Sequence, residues 1–248
     1  MHRLGFAVLA MLLPAVAQAQ DQEQAQARQQ RDFETLKQRV TDIAFDPDSY
    51  FGAQGQYFRI ATIRYRGDDR GYPVYAIAIS NGCVLARSPG CDARRVARMV
   101  RGTMTSPPER PRWRGMALVS GLSKLGPLDG PGLARALDAN VDWLEADLDS
   151  CSGARAALAK AGEARWIAPE LLASKPNDDL AIVLHADTIR VEFAGFLRSA
   201  VYDSYLAKDT PAAWADGFAK AIEPCWKPSA APRPWHAAPD AKPAPSGG

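Results

Sequence analysis

The chain has 248 residues, 47% hydrophobic and 23% charged, with a formal net charge of +2. That near-balance excludes a generally basic nucleic-acid binder, and the apolar content supports a sizeable core in one large domain or two small ones. Beyond the first nineteen residues no apolar stretch is long enough to suggest a membrane span.

Arg3 gives a short positive start, residues 4–16 are apolar, and Ala17-Gln18-Ala19 is a small-x-small cleavage site. This is the layout of a secretory signal peptide over residues 1–19, with a core too short for a spanning helix. The mature chain is expected to begin near Gln20 in the periplasm or outside the cell. Only Arg3 leaves with the signal, so the net charge falls from +2 to about +1.

Residues 20–32 are rich in Gln, almost free of apolar side chains, and read as a frayed helix or tether. From Phe33 a helical period appears through Leu36, Val40 and Ile43, stopping before Asp46-Pro47, so a helix is expected over 28–44. Residues 57–66 are β-branched and aromatic. Residues 73–80 are apolar on both faces, as in a strand covered on both sides. Asn81-Gly82 suits a two-residue hairpin, returning the chain as a short strand over 83–86. Residues 57–87 thus read as a three-stranded antiparallel meander that needs helices to bury its faces.

Asp92 can cap a short helix running to Arg101. Residues 102–132 hold many prolines and glycines and read as a long connection, a candidate subdomain break. Leu133, Leu137, Val141, Leu144 and Leu148 fall on one helical face that Cys151 continues, and residues 154–161 form a further short helix. Thr210-Pro211 is a cap with proline at the first helical position, followed by Trp214, Phe218, Ile222 and Cys225 on one face. Residues 178–206 fit both a strand alternation at 189–193 and a three-four repeat. The helix is favoured because Asn177 with Asp178 and Asp179 suits a helix start. Residues 227–248 carry six prolines and read as a disordered or extended tail. The fold class expected is α+β: a small antiparallel β-meander packed by helices, with a mostly helical, disulfide-clamped C-terminal half. One globular domain spans 33–226.

Four cysteines, at 83, 91, 151 and 225, imply two disulfides in an exported chain. Cys151 and Cys225 each continue an apolar helical face near a helix end, which pairs them with each other and Cys83 with Cys91. A zinc site is not expected, because the spacing is wrong and His is scarce, and no other cofactor is implied.

The most unusual surface lies between Arg87 and Arg114, where eight arginines meet two acids. On the expected helix Arg94, Arg98 and Arg101 form one stripe, and Arg112-Trp113-Arg114 follows. These six residues are the candidate binding surface for an acidic envelope protein, an acidic glycan or lipid phosphate. The competing reading pairs them with the acidic stretch 129–150, which carries Asp138, Asp142, Glu145, Asp147 and Asp149.

Catalytic signatures are weak. Ser123 sits one position away from a G-x-S-x-G elbow, and Ser120 with Lys124 is a Ser-Lys candidate. His185 is a structural histidine on this reading. The carboxylate pairs Asp46/Asp48, Asp68-Asp69, Asp142/Glu145 and Asp178-Asp179 fit turns, helix starts or an acidic helix surface. Trp235 in Pro234-Trp235-His236 reads as a lone tail aromatic. The expectation is a non-catalytic binding or interaction module of the cell envelope, inhibitor- or immunity-like. The alternative is an envelope hydrolase with a carboxylate or Ser-Lys site.

Overall fold

The computed structural model describes residues 6–52, 59–67, 70–81, 94–103, 112–163, 187–194, 199–206 and 210–236. Side chains are described from Gln20 onward, those of 112–113 and 162–163 excepted. The chain forms two compact units, residues 1–39 and 40–248. The first consists of most of a long helix, α1 (Phe6–Ala44). Its polar stretch 20–32 is helical and exposed, supported by local pairs such as Gln30 donating to Glu34 at 3.0 Å. No described helix is long and apolar enough to cross a membrane.

The second unit is built on one seven-stranded sheet in the order β6-β5-β1-β2-β3-β4-β7. The strands are β1 (Arg59–Gly67), β2 (Tyr72–Ser80), β3 (Val96–Gly102), β4 (Val141–Asp147), β5 (Thr188–Ala194), β6 (Ser199–Tyr205) and β7 (Lys227–Pro228). Every neighbouring pair is antiparallel. The helices are α2 (Arg112–Ser123), α3 (Gly130–Asn140), α4 (Ala154–Glu163) and α5 (Pro211–Ala221). The α+β class and the helix-packed antiparallel sheet are as expected from the sequence, and the sheet extends well beyond the meander.

Strand β2 is buried on both faces, as its two-sided apolar run demands. Successive side chains point to opposite faces. Ile63, Ile77, Met99 and Ile189 therefore join α4 and α5 in one hydrophobic core cluster, through Ala154, Ala215 and Phe218. The other face carries Ala76, Ala78, Val100 and Trp143, all buried, and α2 runs beside β2. That helix comes close because Gly115 has no side chain: a Cβ there would stand 2.4 Å from the Pro73 carbonyl. Thr210 caps α5, its hydroxyl accepting from the Ala213 N–H at 3.1 Å. The Cys151–Cys225 disulfide ties the start of α4 to the turn after α5, with Cα atoms 5.9 Å apart. Cys83 and Cys91 lie outside the described residues, as does the expected strand at 83–86.

Five local expectations are corrected. Residues 96–102 are a strand, not the end of a helix, because β2 needs a partner along its full length and Val96, Val100 and Met99 fill both faces. The single helix expected over 133–151 ends at Asn140, whose side chain donates to the Ala136 carbonyl at 2.8 Å. Val141 then starts β4, which pairs with all of β3. The connection 102–132 contains α2, which sequence periodicity missed because glycines interrupt its apolar stripe. In the stretch expected as a helix over 178–206, residues 188–194 and 199–205 are strands. Ile189 and Val191 are fully buried beside β1, so the alternation prevails over the three-four repeat. The tail is not free from its first residue, since 227–236 packs on the fold.

Candidate functional site

The arginines of the basic stretch lie along the β3–β4 seam. In the strand register Arg98 stands opposite Glu145 and Arg101 opposite Asp142. Arg98 donates to Glu145 at 2.9 Å and to the Tyr50 carbonyl at 2.8 Å, with its guanidinium 4.6 Å from the Phe51 ring centre. Arg101 donates to Asp142 at 3.2 Å and to Glu223 at 2.8 Å. Beyond the strand, Arg94 approaches Asp147 at 3.6 Å and Arg95 meets Asp149 at 2.8 Å. The single stripe expected for Arg94, Arg98 and Arg101 does not exist: residues three apart on a strand face opposite ways, so Arg98 and Arg101 lie on opposite faces. Asp142 and Glu145 are separated in the same way, which removes them as a carboxylate pair.

Arg114, in the first turn of α2, is different. It is half-buried, its Nε is shielded from water, and it has no hydrogen-bond acceptor. Burial and the neighbouring positive charge of Arg101 lower its pKa, against the opposing pull of Glu223 and Asp142. Its stem passes over Gly102, where a Cβ would meet Arg114 Cγ at 3.3 Å. Two more buried polar groups lack partners, the Tyr75 hydroxyl and Trp226 Nε1. Tyr75 is the strand partner of Arg101, and Trp226 follows the turn that supplies Glu223. Burial, then the charge of Asp216, raises the Tyr75 pKa and keeps its hydroxyl protonated. Unsatisfied buried donors cost about 1–3 kcal/mol each, and of the three Arg114 is the one whose pKa the charge of Arg101 affects. Arg112 and Trp113 lie in the same helical turn, but their side chains are outside the description.

No group of His, Cys, Asp and Glu among the described residues can hold a metal ion. The Ser123 hydroxyl donates to the Ser120 carbonyl at 2.9 Å at the exposed end of α2. Asp46 and Asp48 both accept from Arg64, at 3.1 and 2.8 Å. His185, Asp68, Asp69, Asp178 and Asp179 lie outside the described residues. A cleft of about 90 Å³ borders Asp42, Asp46, Arg64 and Arg66; its size suits a few waters.

The sequence reading missed the contact made by the start of the tail. Asp138 on α3 accepts from Arg233 at 2.5 Å, from Trp235 Nε1 at 2.8 Å, and from His236 Nε2 at 2.9 and 3.0 Å to its two oxygens. A carboxylate only accepts, so Nε2 carries the proton. Partial burial alone would raise the Asp138 pKa, but the donors Trp235, His236 and Arg233 together hold it below the usual value. Trp235 is 5% exposed. A tryptophan among prolines, with donors on both sides, was the signal available in the sequence.

No family model matches the chain, and no curated protein or solved structure proves similar to it.

Proposed function

We propose that the chain is an exported cell-envelope protein, periplasmic or secreted, acting as a non-catalytic binding module whose contact for an anionic group is Arg114 with Arg101 beside it. Export is supported by Arg3, the apolar run and Ala17-Gln18-Ala19, and by the Cys151–Cys225 disulfide, a bond favoured in oxidising compartments. The observation that carries the binding reading is the half-buried Arg114, whose shielded Nε has no acceptor. The other arginines of the stretch with described side chains have carboxylate partners within the fold. Because Arg114 as a whole is only half-buried, an incoming carboxylate or phosphate oxygen can pair with the guanidinium by a charge-assisted hydrogen bond without reaching the shielded Nε. Acidic protein faces, acidic glycans and lipid phosphates all offer that oxygen.

The test is Arg114→Met, which keeps the stem and removes the donors. Binding of the mature chain is measured to three probes: vesicles with anionic lipid, a sulfated glycan and a poly-glutamate peptide. Expected is binding to one probe that weakens steeply with salt, and its loss in the variant. The variant should also be more stable, by about 1 kcal/mol, and melt higher, because a buried unsatisfied donor is removed. A lower melting point with unchanged binding would show Arg114 to be structural.

A further inference from the structure

We propose that the groove between α3 and β4 is a docking site for an extended, proline-rich peptide of a partner protein carrying Arg-x-Trp-His, and that the chain's own residues 226–236 hold it shut. The strap bonds to the fold as a peptide ligand bonds to a receptor. It extends the sheet by two residues, with Lys227 and Pro228 opposite Glu145 and Leu144. The Ser229 N–H donates to the Trp143 carbonyl at 2.9 Å, and Trp143 Nε1 donates to the Ala231 carbonyl at 2.9 Å. Trp235 then inserts as an anchor, its ring 6.3 Å from Trp143, which in turn packs edge-on against Tyr50 at 5.0 Å. Asp138 receives Arg233, Trp235 and His236 together.

Backbone pairing, an aromatic-lined groove and a prolyl ligand are the recurring elements of extended-peptide recognition. Pro228, Pro232 and Pro234 keep such a segment extended when free, so docking orders little. Beyond Trp226, which packs against the main core, the hold is separable from it. The disulfide fixes the root of the strap at Cys225, and the large cluster beneath α4 and α5 includes neither Trp143 nor Trp235. Arg233 and His236 remain about half exposed and Asp138 about a third exposed, so a competing peptide can reach the receptor carboxylate. The strap competes at an effective concentration on the order of millimolar, which keeps the groove closed to weak peptides until one of matching chemistry arrives.

The experiment uses the mature, disulfide-intact chain and a fluorescent synthetic peptide of residues 226–236, read by anisotropy. Expected is binding at least tenfold tighter to the Trp235→Ala chain than to the unaltered chain, abolished when Asp138→Asn is added or when the peptide has Ala in place of its second Trp. Absence of saturable binding to a Trp235→Ala chain with unchanged far-ultraviolet circular dichroism overturns the proposal. Equal binding to both chains overturns it too. If Trp235→Ala fails to fold, Arg233→Ser with His236→Ser, which alters only exposed side chains, is judged by the same criterion. Sedimentation separates the remaining source: strap-dependent dimers of the unaltered chain would assign the groove to a second copy instead of a foreign peptide.

Discussion

Residues 210–225 and residues 226–236 follow each other in the chain and hold to the sheet in opposite ways. The first stretch places α5 over the core through Ala212, Ala215, Phe218 and Ile222, all essentially buried, and ends in a covalent bond to Cys151. Beyond Trp226, which still packs against the core, the second buries the Trp235 ring and gathers three donors on one carboxylate. The first is therefore part of the cooperative unit, while the second opens on its own at lower cost. The difference puts the expected boundary between the two kinds of hold at Cys225, one residue before the strap.

The largest expected effect tests the covalent side. Cys225→Ser releases a link between residues 74 apart, worth about 4.5 kcal/mol on the chain-entropy model and typically 2–5 kcal/mol in small exported domains. Thermal melting of the oxidised protein and the variant checks it. A shift of only a degree or two would mean that packing of α5 alone carries the clamp, and the contrast between the two stretches would weaken.

A smaller effect tests the strap. Donors hold the Asp138 pKa below its unfolded value, so its contribution is complete above about pH 4, the ordinary carboxylate value, and is lost as pH falls through the folded pKa. In acid the strap should detach before the core melts. Tryptophan emission at the wavelength of a water-exposed indole should rise in acid relative to pH 6, as Trp235 leaves its buried site, while far-ultraviolet circular dichroism stays unchanged. In Asp138→Asn the rise should already be present at pH 6. Loss of both signals together would join the strap to the core.

Legibility in the sequence followed the range of the interactions. Strands β1 and β2 were readable because their apolar pattern and flanking glycines are local, and the cap Thr210 with Pro211 was equally plain. The Cys151–Cys225 pairing was readable although the element leading to Cys151 was not. Leu144 and Leu148 suit a helix spacing, yet the residue that decides is Arg98, across the sheet, whose strand needs β4 as its partner. Likewise Ile189 and Val191 could be assigned only once β1 was known to have an open edge. The arginine stretch was visible, but which arginine remains without an acceptor depends on register. Arg98 meets Glu145 because β3 and β4 pair in one alignment, whereas Arg114 lies outside that pairing on α2, a helix its glycine-interrupted pattern did not reveal. The Asp138 receptor joins residues 95 to 98 positions apart, beyond any local pattern.

The smallest expected effect makes the comparison sharpest, because one of the hydrogen bonds between the strap and β4 falls on a carboxylate of the arginine ladder. The Ser229 hydroxyl donates to Glu145 Oε2 at 3.3 Å, on the same oxygen that accepts from Arg98. A double-mutant cycle with Arg98→Ala and Glu145→Ala should give a coupling of about 0.5–1 kcal/mol, the value of a cross-strand ion pair in part contact with water. Arg98→Ala alone should cost more than that coupling, because it also removes the bond to the Tyr50 carbonyl and the contact with Phe51. The cycle is then repeated in the Trp235→Ala background. If the strap is a separate unit, the coupling should stay within about 0.3–0.5 kcal/mol of its first value, the usual scatter for independent sites. A larger change would show that Ser229 transmits the state of the strap into the seam. The arginine ladder would then sense whether the groove is open, and the boundary drawn at Cys225 would move inward to β4.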